Sequence, residues 1–219
     1  MNQLGALYDV RFSEQERVKK ERVWQVLCRH FFQKFIRPTD AVLELACGFG
    51  EFLGNIDAKR KVAVDLNDQV QALLPKEIEF HLGSADNLTM LESNTIDVVF
   101  VSNFFEHLPN KDVLTNVLKE IHRVLKPGGS FMMMQPNFKY CYDAYWDFYD
   151  HHLPLSHLTM IEGLEMTNFA IEKVHAKFVP FSTKSKIPSH PLLVRIYLMV
   201  PFVWKIMGKQ FFILAKKPT

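Results

Sequence analysis

The segment Val42-Leu43-Glu44-Leu45-Ala46-Cys47-Gly48-Phe49-Gly50-Glu51-Phe52-Leu53 runs from an apolar stretch into a glycine-rich turn. Glycines bend the backbone tightly and let it approach a ligand closely. Amides at the start of a following helix attract a carboxylate or a phosphate. Two ligand classes use such a turn. A dinucleotide fingerprint requires G-x-G-x-x-G; Gly48 and Gly50 satisfy it, but Leu53 holds the third place and Gly54 comes one residue late. The acid Glu44 would repel a pyrophosphate and suits an ammonium group or a sulfonium cation. The charge pattern therefore favours an adenosyl amino acid, with a nicotinamide dinucleotide and its dehydrogenase chemistry as the alternative.

A second concentration of chemistry lies between Asn137 and His157, where Tyr140, Tyr145, Trp146, Phe148 and Tyr149 alternate with Asp147, Asp150, His151 and His152. Aromatic faces suit a sugar or ring, while His and Asp supply hydrogen bonds and proton transfer. Asp150, His151, His152 and His157 are the sharper alternative, a metal set. Adjacent residues point different ways and no helical His-x3-His spacing occurs, so no metal is expected.

These groups need elements to hold them. Trp24, Leu27, Phe31 and Phe35 recur at helical steps after a capping pair, Ser13 and Glu16, and Pro38 ends that helix. Strands are expected over 41–46, 61–66, 78–82, 96–102 and 130–135, with helices opening at 50–56, 68–74 and 111–125. Lys126-Pro127-Gly128-Gly129 reads as a turn. Thr159 and Glu162 make a second capping pair for a helix reaching about 168. A long strand over 170–181, an insert over 182–208 and a last strand over 210–216 follow, the two strands forming an antiparallel pair at one sheet edge. Alternating strands and helices imply right-handed βαβ units and a doubly wound α/β sheet, with the ligand above the strand carboxyl ends. The chain is read as a single domain over 1–219: an N-terminal helical segment (1–37), a cofactor-binding core (38–136) and an acceptor-side region (137–219).

The ordered set of segments resembles the class I S-adenosylmethionine-dependent methyltransferases, of the type 11/UbiG-like group. Glu44, Ala46, Gly48 and Gly50 match the family's [DE]-x-[GA]-x-G-x-G, with Ala46 where glycine is more frequent. Val62-Ala63-Val64-Asp65-Leu66-Asn67, Gly83-Ser84-Ala85-Asp86-Asn87-Leu88, Ser102-Asn103-Phe104-Phe105-Glu106-His107-Leu108 and Leu125-Lys126-Pro127-Gly128-Gly129 follow in the family's order. The resemblance implies a mostly parallel, seven-stranded Rossmann-like sheet with an antiparallel C-terminal edge strand, and S-adenosylmethionine as cofactor. It assigns Asp65 to the ribose, Asp86 to the adenine amino group and Asn103 to the methionine part, with Cys47, Leu66, Ser84 and Ala85 beside them. Relatives act on sugars, lipids and quinone precursors. The implied activity is methyl transfer, at oxygen, to a small-molecule, glycan or lipid-linked acceptor, with His151, His152 and His107 as candidate bases in that order. A non-catalytic regulatory partner that binds the same cofactor is the other alternative. An N-terminal flap through Tyr8 and Arg11 is a weaker carry-over.

The formal net charge is +2 over 219 residues, with acids and bases interleaved, so no nucleic-acid face is expected. Cys28, Cys47 and Cys141 are odd in number and widely spaced, which points to a reducing, cytoplasmic setting; no secretory leader is read at the N-terminus. The apolar stretch 192–207, interrupted by Arg195, Pro201 and Lys205, is too short to span a bilayer comfortably but would permit membrane-surface contact. It also reads as an acceptor lid or a dimer contact.

Overall fold

The computed structural model describes residues 14–181 and 190–219. The proposed cap Ser13, the flap residues Tyr8 and Arg11, and positions 182–189 of the insert lie outside them. Seven strands form one sheet in the order β3-β2-β1-β4-β5-β7-β6. They are β1 (Ala41–Leu45), β2 (Arg60–Asp65), β3 (Ile78–Leu82), β4 (Ile96–Ser102), β5 (Leu125–Pro136), β6 (Ala170–His175) and β7 (Gln210–Lys216). The first five are parallel; β7 runs antiparallel to both β5 and β6. β6 and β7 are thus the antiparallel pair at that edge, with β6 outermost.

Central strands are apolar on both sides because both faces are covered. On β4, Val99 and Val101 join the cluster that includes Leu43, Leu45, Val117, Ile121, Phe131 and Met133, while Val98 and Phe100 join Trp24, Phe32, Val42, Met132 and Phe212. The first face is covered by α2 (Lys111–Val124) and the second by α1 (Glu14–His30). α2 starts at Asn110, whose side chain accepts from Val113 N at 3.0 Å, and buries Leu114, Val117, Leu118 and Ile121. Four further helices, α3 (Phe138–Tyr145), α4 (His157–Met166), α5 (Pro191–Met199) and α6 (Pro201–Met207), follow β5 in the C-terminal part of the chain. Among the described residues no helix is long and apolar enough to cross a membrane.

Five local expectations are corrected. The helix expected over 50–56 is a single 3-10 turn, Leu53–Asn55, since Gly54 and Asn55 are poor helix formers and Asn55 Nδ2 ties back to Glu51 O at 2.8 Å. The helix expected over 68–74 is likewise a 3-10 segment, Asp68–Ala72, started by Asn67. Lys126-Pro127-Gly128-Gly129 lies inside β5 as an irregularity where the β4 register shifts. Gly128 has φ +77° there, and a Cβ on Gly129 would stand 2.8 Å from Lys126 O. α4 is capped by Ser156, which accepts from Thr159 N at 3.2 Å, three residues before the expected start. The strand expected over 170–181 stops at His175, after a register shift between Ile171 and Lys173. Phe178 then turns into the core, and Pro180 has no N–H to continue a ladder.

Candidate functional site

Strand order reverses between β1 and β4, the position at which doubly wound sheets bind ligands beyond their carboxyl ends. A cavity of about 1070 Å³ opens there. Every site residue expected from the sequence lines it except Gly50: Glu44, Ala46, Cys47 and Gly48; Asp65 and Leu66; Ser84, Ala85 and Asp86; Asn103; His107, His151 and His152.

The turn after β1 is left-handed three times over, with φ +53° at Ala46, +53° at Gly48 and +71° at Gly50. Glycine takes this conformation freely; alanine pays steric strain for it. The position where the family more often has glycine is therefore strained here. Gly50 works through the turn: a Cβ on it would meet Leu74 Cδ2 at 2.2 Å. The turn is locked from β2, since Asp65 Oδ2 accepts from Gly48 N at 3.0 Å and Oδ1 accepts from Asn67 N at 2.9 Å. Burial raises the Asp65 pKa against these bonds. Glu44 is buried on the α1 side and accepts from Leu53 N at 3.4 Å. Its pKa is pushed well up, first by burial and then by Glu51, with Asp65 adding to the effect. Ser84 donates to Asp86 Oδ1. Asn103 is also left-handed, at φ +48°; its N–H reaches Met134 O at 3.0 Å and its amide reaches Ser102 Oγ at 2.9 Å.

α1 closes this end of the cavity. Lys20 Nζ pairs with Glu51 at 2.8 Å, Arg17 stacks its guanidinium 4.2 Å over Phe49, and Trp24 lines the wall. Sequence reasoning placed no site residue on α1; its basic residues beside an acid-rich turn were the available signal.

At the other end, His107 leaves the 3-10 turn after β4 and meets the loop after α3. Its Nδ1 lies 3.0 Å from Asp150 O and 3.2 Å from Asp150 Oδ2. Both partners are acceptors, so Nδ1 carries the proton and Nε2 is left as the acceptor nitrogen. His151 is buried, stacked on Phe148 (4.8 Å, 15°) and 5.1 Å from the His107 ring. His152 is exposed, and its backbone N–H donates to Glu106 O at 2.7 Å. Potential ligand atoms of Glu106, His107 and His151 lie within 4.8 Å of one another. The four residues considered for a metal do not converge: His157 points away and bonds Asn137 Nδ2 at 2.9 Å. Glu106, absent from the expected site residues, is buried beside the histidines because the 3-10 turn Phe105–His107 folds it inward. α5 and α6 supply the remaining wall, including Leu193, Tyr197 and Val203.

Residues 43–133 match the family model described as a methyltransferase domain. A ubiquinone/menaquinone biosynthesis C-methyltransferase of Hydrogenovibrio crunogenus is 34% identical over 146 residues, 57% of this chain and 54% of that protein. A thiol S-methyltransferase of Homo sapiens is 25% identical over 174 residues, covering 73% and 67%. The chain spans about half the length of the first curated relatives it matches. Among solved structures, a SAM-dependent methyltransferase from Archaeoglobus fulgidus superposes with TM-score 0.67 at 20% identity, over 90% of this chain and 94% of that one. One from Thermotoga maritima gives TM-score 0.66 at 16% identity, over 97% and 98%. The nicotinamide alternative is set aside: the matches are methyltransferases, and Leu53, in place of the third fingerprint glycine, gives its amide to Glu44. Residues 43–133 thus carry a methyltransferase domain, and the strand order and the position of the cavity agree with the fold of the S-adenosylmethionine-dependent methyltransferases.

Proposed function

We propose that this enzyme moves a methyl group from S-adenosylmethionine to an oxygen nucleophile on a small, glycan-like or lipid-linked acceptor. The observation that carries this reading is a single cavity with acids at one end and a histidine held by an aspartate at the other. The residues fit the cofactor. Glu44 is a buried carboxyl destabilised as an anion by burial and by neighbouring acids, and a cation beside it would offset both. An ionised Asp65 has about four acceptor positions. Oriented by bonds from Gly48 N and Asn67 N, its carboxylate lines the cavity as an acceptor for the ribose hydroxyls. Asp86 accepts the Ser84 hydroxyl on one oxygen and keeps the other for an adenine amino group.

When bound, the cofactor supplies an activated methyl electrophile. The chain's own residues then align the acceptor and take its proton. Positioning supplies most of the rate in such a transfer. His107 is the base we favour: Asp150 fixes the tautomer that leaves Nε2 open, and its carboxylate at 3.2 Å stabilises the imidazolium that forms. His151, packed against Phe148, orients the acceptor beside it, and the apolar wall from α5 and α6 excludes water. Methylation at carbon of a hydroxylated ring is the second reading, favoured by the Hydrogenovibrio relative's C-methyltransferase name. The same base would serve it by deprotonating the ring hydroxyl.

Labelled methyl transfer into candidate acceptor extracts, alongside calorimetry with S-adenosylmethionine, tests the proposal. Heat of binding and acceptor labelling are expected. Unchanged turnover in His107→Ala, His151→Ala and His152→Ala would remove the base; absence of binding heat would remove the cofactor.

A further inference from the structure

Among the described residues, the α5–α6 pair is anchored on one side. Trp204 packs against Phe31, His175 and Phe178, its indole N–H donates to Tyr197 O at 2.7 Å, and Tyr197 OH donates to Phe178 O at 2.6 Å. Among the described residues the opposite side is apolar and exposed. Met199 is 72% exposed, Phe202 69% and Ile206 68%, with Leu192 and Ile196 about half exposed. Positions 191–207 contain no acid and two exposed bases, Arg195 and Lys205.

A soluble monomer rarely leaves such a contiguous apolar face uncovered. The surrounding charge says what covers it. α5 packs on α1. Arg195 of α5, Arg29 of α1 and Lys34 just beyond it are exposed cations whose charge reaches His30 near this contact. Apolar residues interspersed with bases suit the headgroup–acyl boundary of a membrane. A cationic rim suits anionic lipid. The face also shares a wall with the cavity: Leu193, Ile196 and Val200 are partly exposed and line it.

We propose that the α5–α6 face seats on a bilayer containing anionic lipid. Met199, Phe202 and Ile206 enter the headgroup–acyl boundary, and Arg195, Arg29 and Lys34 meet the lipid phosphates. Seating turns the apolar wall of the cavity toward the membrane, so the acceptor taken from it is amphiphilic. This last step rests on the methyl-transfer reading; the seating does not.

The test uses the full chain pelleted with vesicles of phosphatidylcholine alone or mixed with phosphatidylglycerol. Binding to the mixed vesicles is expected to be the stronger. The Phe202→Glu/Ile206→Glu double variant should lose more than about tenfold in vesicle affinity, because apolar area no longer enters the boundary. Arg195→Ala should lose about fivefold on mixed vesicles, an effect that fades with added salt. Both changes lie on exposed side chains, and retained binding of S-adenosylmethionine verifies the fold. Wild-type protein that pellets with neither vesicle, or that the double variant matches, overturns the proposal. So does a lipid-free dimer that the double variant converts to monomer while wild type ignores vesicles, which would assign the face to a second copy. Vesicle binding without heat of cofactor binding would sustain the seating and overturn the methyl-transfer reading.

Discussion

At the end of the cavity proposed for the cofactor, Glu44, Gly48, Asp65 and Asp86 stand at or just beyond the carboxyl ends of β1, β2 and β3, parallel neighbours in one sheet. At the end proposed for the acceptor, His107 follows β4, its partner Asp150 lies 43 residues further along, and the far wall comes from helices beyond position 190. The first end is set by strand register and by one turn bonded across to the next strand. The second is set by a few polar bonds and aromatic contacts between segments that share no ladder. A change at the first end should act through ligand charge and turn strain; at the second it should act through the chemical step or through packing.

The largest expected effect separates the ends. His107→Ala should lower turnover about a hundredfold or more while leaving S-adenosylmethionine affinity unchanged, as read by steady-state kinetics and calorimetry. Equal losses in both quantities would show that the ends are not independent. Next comes Gly208→Ala, on the acceptor side. A Cβ there would stand 2.6 Å from Trp204 O and 2.8 Å from Lys177 C and Phe178 N, all backbone atoms that cannot step aside cheaply. Destabilisation of about 2 kcal/mol in urea unfolding is expected.

Glu44→Gln should weaken cofactor affinity about tenfold, roughly 1.4 kcal/mol. The pH dependence sharpens this. Because the folded Glu44 pKa is raised, the folded protein holds more protons than the unfolded one between the ordinary carboxylate value and the raised value. Stability of the ligand-free protein contributed by this group therefore falls as pH rises through that window. Binding of a cation should reverse the preference. S-adenosylmethionine should release a proton and bind more tightly as pH rises, measured by calorimetry in buffers of different ionisation enthalpy. In Glu44→Gln the proton release should vanish. The smallest effect is Ala46→Gly, which relieves φ +53° and should stabilise the protein by about 1 kcal/mol, less the entropy cost of glycine, in thermal unfolding.

The cofactor end was largely legible in advance because its signals are local. Residues Ile78–Leu82, Ile96–Ser102 and Gln210–Lys216 form strands at the expected bounds. Gly48 of the glycine turn, Asp65 and Asp86 line the cavity. Short-range competition was less legible: Gly54 and Asn55 cut one helix to a 3-10 turn, and Ser156 rather than Thr159 takes the cap. At the other end the sequence marked His107, His151 and His152 but ranked them without knowing that His151 is buried against Phe148 and that His107 faces Asp150. Glu106 was passed over because nothing in its neighbours says that a 3-10 turn will fold it inward.

The sequence by itself determined the doubly wound order, the bend after β1 and the acids beside it, since strand alternation, glycine's conformational freedom and charge are properties of a few consecutive residues. Only the tertiary structure decided that His107 and Asp150 meet, that His157 turns away to Asn137, and that α5 and α6 wall the cavity and expose apolar side chains on their other face. Those outcomes depend on how segments tens of residues apart pack together, and packing is a property of the assembled core that no local pattern encodes.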